Sequence, residues 1–246
     1  MENPFLDKVG ARVLPRFMSI VDNPTLSEYN KRRLIGGYKV DDDGVYAQET
    51  SIVEKGMLKT LLTTRNPVHG IIQSTGNRRG SGAAPSNLFV TTEEGLKDKK
   101  IKQEFFNMLK QQGKEYGIVI RRLGNQLLKM SSAMYSPPGR EKTKVKNIIL
   151  AYKVFTNGHE ELIRNAELSG ISAATFKEII AASKSQTVYN YRFSPQRTSH
   201  FITGPKANVV VSLIVPSLML FEEMTIKPLS GEIPNPPVSK HPFFDK

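Results

Sequence analysis

With 246 residues, 39% of them hydrophobic and 24% charged, the chain has an ordinary globular composition and enough length to bury a core without covalent staples. The lack of cysteine excludes disulfide scaffolds, thiol nucleophiles, thiolate zinc sites and iron–sulfur clusters together, so any metal would need His, Asp or Glu. The balance of 35 basic against 23 acidic residues gives +12, while 18 Gly and 15 Pro favour many turns over a long-helix bundle.

In chain order, residues 11–21 (ARVLPRFMSIV) read as a first strand interrupted by Pro15 and ended by Asp22-Asn23-Pro24. Residues 45–53 and 57–64 are β-rich and joined by the short loop Glu54-Lys55-Gly56. Between Arg65 and Pro85 lies a Gly, Asn, Ser and Arg-rich stretch too long for a simple turn, the kind of loop that often carries function. Ser86 to Thr91 predicts a strand, and Glu93 to about Gln112 an amphipathic helix with Ile101, Phe105, Met108 and Leu109 inside and lysines outside, closed by Gly113. Residues 116–123 predict a strand, and 145–156 with 159–168 a long hairpin about Asn157-Gly158. A short helix is expected from the Ser172 cap to about Ser183, then strands over Gln186–Phe193 and Asn208–Glu223. The fold class expected is α+β, predominantly antiparallel β-sheet of sandwich or barrel-like type with two or so peripheral helices. It is read as a single domain over 1–246, with a basic helical insertion at about 92–145 and an extended Pro-rich tail at 228–246.

Charge is concentrated between Lys97 and Lys146, where 13 basic residues stand against 4 acidic ones, a net +9. No helix-turn-helix, RNP-type aromatic signature or zinc-finger spacing accompanies it, so nucleic acid is an unlikely partner on this reading and a solvated lysine face is preferred. The longest apolar stretch, Val209 to Phe221, is broken by Ser212, Pro216 and Ser217 and falls short of the about 20 residues of a spanning helix. The first twenty residues show no signal-peptide pattern, and a soluble, cytoplasmic protein is expected.

The tests for catalytic motifs fail one by one. His159-Glu160 lacks the second histidine of a zinc helix, since Ile163 and Arg164 occupy the required positions. Asp41-Asp42-Asp43-Gly44 lacks the flanking ligands of a calcium loop and reads as a turn. Gly76, Gly80 and Gly82 bracket Arg78-Arg79 without the Lys-Ser/Thr of a phosphate loop. Glu222-Glu223 point to opposite faces of a strand and make a poor acid/base pair. His69, His159, His200 and His241 are isolated in sequence.

Several segments in order resemble the C-terminal domain of the TldD/PmbA family of metallopeptidase-related proteins, long labelled modulators of DNA gyrase. The resemblance is carried by Tyr38 to Val45 with Ala47-Gln48, by Val53 to Lys59, by Ser74-Thr75-Gly76-Asn77-Arg78-Arg79 leading into Pro85 to Leu88, and by Val215 to Met224. Residues 4–91 and about 205–238 match well, and 92–200 loosely. The resemblance implies an N-terminal half bearing an HExxxH zinc helix and a late cysteine ligand, neither of which is in this chain. It thus implies a fragment of a longer protein or a metal-free branch: a non-catalytic half, inactive in hydrolysis and proteolysis by itself, with zinc expected only where an HExxxH-bearing half or partner is present. Its implied roles are docking of unfolded or extended peptide and dimerisation, as a homodimer or with a TldD/PmbA-type subunit or half. No catalytic or metal residue is carried over. Thr75, Gly76, Asn77, Arg78 and Arg79 are the candidate contacts to peptide or partner, the arginine forks suiting carboxylates. Gly36-Gly37 and Gly76 are read as serving backbone geometry. Two alternatives remain open: an atypical metal-dependent peptidase whose ligands include His69, His159, His200 and carboxylates, and a basic nucleic-acid- or gyrase-associated module.

Overall fold

The computed structural model describes residues 5–66, 68, 70–80, 82–123, 146–163, 166–193 and 209–228. In chain order these form β1 (Met18–Asp22), β2 (Glu28–Tyr29), β3 (Arg32–Arg33), β4 (Thr50–Glu54), β5 (Met57–Leu58), β6 (Arg78–Arg79), β7 (Gly82–Ala83) and β8 (Asn87–Thr92). Helix α1 (Asp98–Gln111) follows, then β9 (Tyr116–Leu123), β10 (Lys146–Phe155), β11 (Glu160–Ile163) and β12 (Ala166–Ser169). The last elements are β13 (Ile179–Ala182), β14 (Gln186–Phe193), β15 (Val209–Pro216), β16 (Met219–Phe221) and β17 (Thr225–Pro228). The chain divides into two compact units, residues 1–115 with 171–224 and residues 116–170 with 225–246. Of the expected tail at 228–246 all but Pro228, and of the expected insertion at about 92–145 its last part, 124–145, lie outside the described residues.

The first unit is built on a six-stranded sheet in the order β14-β15-β8-β1-β4-β5, antiparallel except for the β15–β8 pair. Among the described strands it ends on β14 and β5 rather than closing into a barrel. The first strand starts later than the sequence predicts. Pro15 has no N–H to give a ladder, and the chain before it instead docks on the β4–β5 loop through Val13 N–H to the Gly56 carbonyl at 2.8 Å. That loop is the expected Glu54-Lys55-Gly56 connection, with Lys55 and Gly56 at φ 46° and 80°. A Cβ on Gly56 would lie 2.4 Å from the Leu14 carbonyl oxygen, so glycine is required both by its φ and by this close approach.

Alternation along these strands buries one set of side chains in a core of Val13, Leu14, Met18, Val53, Leu58, Leu61 and Ile179. On a second patch, Leu34, Phe89 and Ile214 pack with Tyr29 and Val188. A third joins Ile101 of α1 to Ala181 and Leu220, with Phe105 and Met108 against it, which is the apolar stripe read from the sequence.

The expected helix from Ser172 is a correction. The Ser172 hydroxyl does accept from the Ala174 N–H at 3.1 Å, as a cap would, but only a single 3-10 turn, Thr175–Glu178, follows. Residues 179–182 become β13, antiparallel to β16, with Ile179, Ala181 and Ala182 buried. Tertiary pairing and β-branched Ile179-Ile180 override a weak helical pattern. Among the described residues α1 is the one α-helix, and it is not long and apolar enough to cross a membrane.

In the second unit β10 pairs with β9 on one side and with β11 and β12 on the other, and β12 pairs with β17. The Asn157-Gly158 hairpin is present, with Gly158 at φ 86° and the Asn157 Oδ1 accepting from the His159 N–H at 2.9 Å.

Met18 is fully buried at the centre of the first core. Met18→Ala should therefore cost about 2–5 kcal/mol of stability, read as a lower urea midpoint with an unchanged slope.

Candidate functional site

The short motifs of this sequence meet at the end of β1. Asp22, the last residue of that strand, is fully buried, and its carboxylate accepts from the Ser86 N–H, the Ser86 hydroxyl and the Asn77 Nδ2, each at 2.8 Å. Asn77 Nδ2 also lies 3.2 Å from the Tyr38 hydroxyl, which donates to the Gly76 carbonyl at 2.8 Å. The Arg79 guanidinium stacks 4.5 Å from the Tyr38 ring centroid and donates to the Gly36 carbonyl at 3.3 Å.

A second junction adjoins the first in sequence. Asn87 accepts from the Gly36 N–H at 3.1 Å and donates to the carbonyls of Asn23 and Leu26 at 3.0 and 2.7 Å. The Ser212 hydroxyl accepts from the N–H groups of Ile35 and Gly36 at 2.8 and 3.2 Å. Ser212 stands opposite Asn87 because β15 runs parallel to β8. Gly36 is needed for close approach, since a Cβ there would sit 2.2 Å from the Ser86 carbonyl oxygen.

The Asp41–Gly44 segment is a turn held by its own carboxylates. Asp41 Oδ1 accepts from the N–H groups of Asp43 and Val45 at 2.9 and 2.8 Å, and its Oδ2 from Arg78 N–H at 2.9 Å. Asp42 and Asp43 accept from the N–H groups of Gly80 and Arg65 at 2.5 and 3.0 Å. Oxygens turned to backbone donors in this way do not form a calcium loop.

The five candidate contact residues are brought together as one strand-and-turn segment. Thr75 interlocks with Thr63, its N–H donating to the Thr63 hydroxyl at 3.0 Å and its hydroxyl accepting from the Thr63 N–H at 2.7 Å. Gly76 adopts φ 71°, with the Tyr46 carbonyl oxygen 2.7 Å from where a Cβ would be. Asn77 is fully buried. Arg78 Nε donates to the Gly80 carbonyl at 2.8 Å. Arg78 and Arg79 are half-buried.

Burial is the main influence on Asp22 and raises its pKa above the ordinary 3.8, against the bonds from Ser86 and Asn77 and the charge of Arg79. Burial also pushes the Tyr38 hydroxyl upward, with the Asp22 carboxylate adding to the rise, so Tyr38 is a neutral donor throughout the physiological range.

Among the described residues no three His, Cys, Asp or Glu side chains are placed to hold a metal ion, so they do not fit a zinc site. His159 sits at the β10–β11 turn with its ring 5.7 Å from that of Phe155, while His69, His200 and His241 lie outside the described residues.

Sequence reasoning missed Asp22, which it treated as a strand-ending residue, and missed the open edge of the six-stranded sheet. β14 pairs with β15 alone among the described strands. The Ser217 N–H to Ser185 carbonyl bond fixes the alternation, so the backbone groups of residues 187, 189 and 191 face β15 and those of 188, 190 and 192 face outward. Tyr189 and Tyr191 are 55% and 37% exposed.

A profile of the PmbA/TldA metallopeptidase C-terminal domain matches residues 2–228. Over 110 residues the chain is 34% identical to a metalloprotease of Methanocaldococcus jannaschii, covering 40% of this chain and 23% of that protein. Over 90 residues it is 31% identical to a metalloprotease of Archaeoglobus fulgidus, covering 35% and 20%. Among solved structures, a protein described as a modulator of a DNA gyrase from Thermotoga maritima superposes with a TM-score of 0.59 at 20% identity, over 92% of this chain and 42% of that one. TldE from Thermococcus kodakarensis superposes with a TM-score of 0.56 at 16% identity, over 91% and 42%. The chain thus spans less than half the length of these relatives, and at these identities the structural likeness speaks of the fold alone.

Because its folded-state pKa is raised, Asp22 contributes stability that is complete below pH 3.8 and is lost as pH rises through that folded-state value. Asn77→Ala removes a donor that the ionised form needs. It should cost about 1–3 kcal/mol, more near pH 8 than near pH 4, in urea unfolding at the two pH values.

Proposed function

We propose, from the premise that this chain belongs to the PmbA/TldD family as its metallopeptidase C-terminal domain, that it serves as a non-catalytic half which docks extended peptide along the open edge of β14. The observation that carries this reading is the eight-residue edge strand itself, unpaired on one side among the described strands and bearing two exposed tyrosines. An extended chain laid along it gains main-chain hydrogen bonds regardless of sequence, and the aromatic rings add contact area. Such recognition suits unfolded polypeptide as substrate class.

The same reading has Arg78 and Arg79 meeting a peptide carboxylate or a partner subunit. Each guanidinium carries five N–H donors, and the bonds to Gly80 and Gly36 occupy one apiece. Hydrolysis would then require an HExxxH-bearing half or subunit that supplies the zinc, joined by dimerisation. The metalloprotease names of the relatives and the 42% share of the solved chains that this one spans support such a division of labour. A cytoplasmic location is part of this proposal.

Asn190 has its backbone N–H on the outward side, and its side chain donates to the Arg33 carbonyl at 3.0 Å. Proline is tolerated at an edge position of this kind, yet it removes the outward donor. Asn190→Pro should weaken binding of a fluorescent unfolded peptide about tenfold in an anisotropy titration, while Asn190→Ala, which loses only the side-chain bond, binds within about twofold of the parent. Equal affinity of the proline variant and the parent would overturn the edge-strand reading.

A further inference from the structure

A cleft of about 280 Å³ lies in the first unit between α1 and the β13–β16 pair. Glu104, Asn107, Met108 and Gln111 line it from the helix, and Ile180 of β13 and Glu222, directly after β16, line it from the pair. Its walls are held by the core of Ile101, Ala181 and Leu220, against which Phe105 and Met108 pack. The backbone of Glu222 is fixed by its N–H to the Glu178 carbonyl at 2.8 Å. The volume falls just below the about 300–1,000 Å³ of small-molecule sites, which leaves room for one long side chain rather than a cofactor.

The lining divides into an apolar part and an anionic part. Met108 is half-buried and Ile180 is 44% exposed, so both offer apolar surface to the cleft. Glu104 and Glu222 make no ion pair or side-chain hydrogen bond among the described residues. The lysines of α1, among them Lys99, Lys102 and Lys110, are exposed, and none of them lines the cleft. The amides of Asn107 and Gln111 add acceptors.

A lysine or arginine side chain has the same division, a methylene stem that seeks apolar cover and a cationic head that seeks carboxylates. We propose that this cleft binds the side chain of a lysine or arginine presented by a partner polypeptide, its stem against Met108 and Ile180 and its head between Glu104 and Glu222. The site is separate from the β14 edge and gives the protein a preference for basic residues that main-chain pairing alone lacks.

Carbon-13 methyl labelling of methionine provides a reporter inside the cleft, with the Met108 signal assigned by Met108→Leu. Short blocked peptides Gly-Lys-Gly and Gly-Arg-Gly should shift that signal saturably, and blocked Gly-Gln-Gly should leave it in place. The double variant Glu104→Gln with Glu222→Gln should raise the half-saturation concentration about tenfold. These peptides are too short to pair along a strand, so Asn190→Pro should titrate as the parent does, and a failure at the β14 edge leaves this result intact. The proposal is overturned if the lysine and glutamine peptides act alike on Met108, or if the double variant titrates like the parent.

Discussion

The buried carboxylate of Asp22 is the constraint from which the motif region of the first unit is organised. Taking a carboxylate out of water costs several kcal/mol unless its oxygens are met by donors, and here three donors from two distant segments meet them. To keep them there, the chain must bring the Asn77 loop and the Pro85–Asn87 segment against the end of β1. Asn77 then sets Tyr38, Tyr38 accepts the Arg79 guanidinium on its ring, and Gly36 closes onto Ser86 with no room for a Cβ. The residues that look most like a functional loop in the sequence are first of all structural partners of one acid.

The sheet order has a second consequence. Placing β15 parallel to β8 sets the Ser212 hydroxyl beneath the Ile35 and Gly36 N–H groups and leaves β14 as the outermost of the described strands. A long edge strand with outward backbone groups is a template for another chain, and this is the ground on which peptide docking is proposed. Charge is arranged with similar unevenness. The chain is strongly basic, yet the cleft beside α1 is lined by two glutamates without an ion pair among the described residues, so one helix carries lysines toward solvent and a carboxylate toward the β13–β16 pair.

Much of the local structure was legible because it depends on neighbours in sequence. The β9 and β14 boundaries, the Glu54-Lys55-Gly56 loop, the Asn157-Gly158 hairpin and the buried stripe of α1 follow from alternation, turn chemistry and helical period. The first strand and the segment after Ser172 were misread where a distant partner outweighed local preference, Gly56 in the one case and β16 in the other. Of the candidate loop, its existence and its glycines were legible, whereas the engagement of Thr75 with Thr63 and of Asn77 with Asp22 was not.

What the sequence alone determined is therefore an α+β chain dominated by antiparallel strands, without thiol chemistry, and its resemblance to one family through four ordered motifs. What only the tertiary structure decided is why those motifs exist together, which edge of the sheet is open, and where two glutamates lie without a counter-ion. Composition and period report the preferences of contiguous residues. A buried hydrogen bond joins positions 55 or 64 residues apart, and its energy comes from the exclusion of water by the whole fold, which no local pattern encodes.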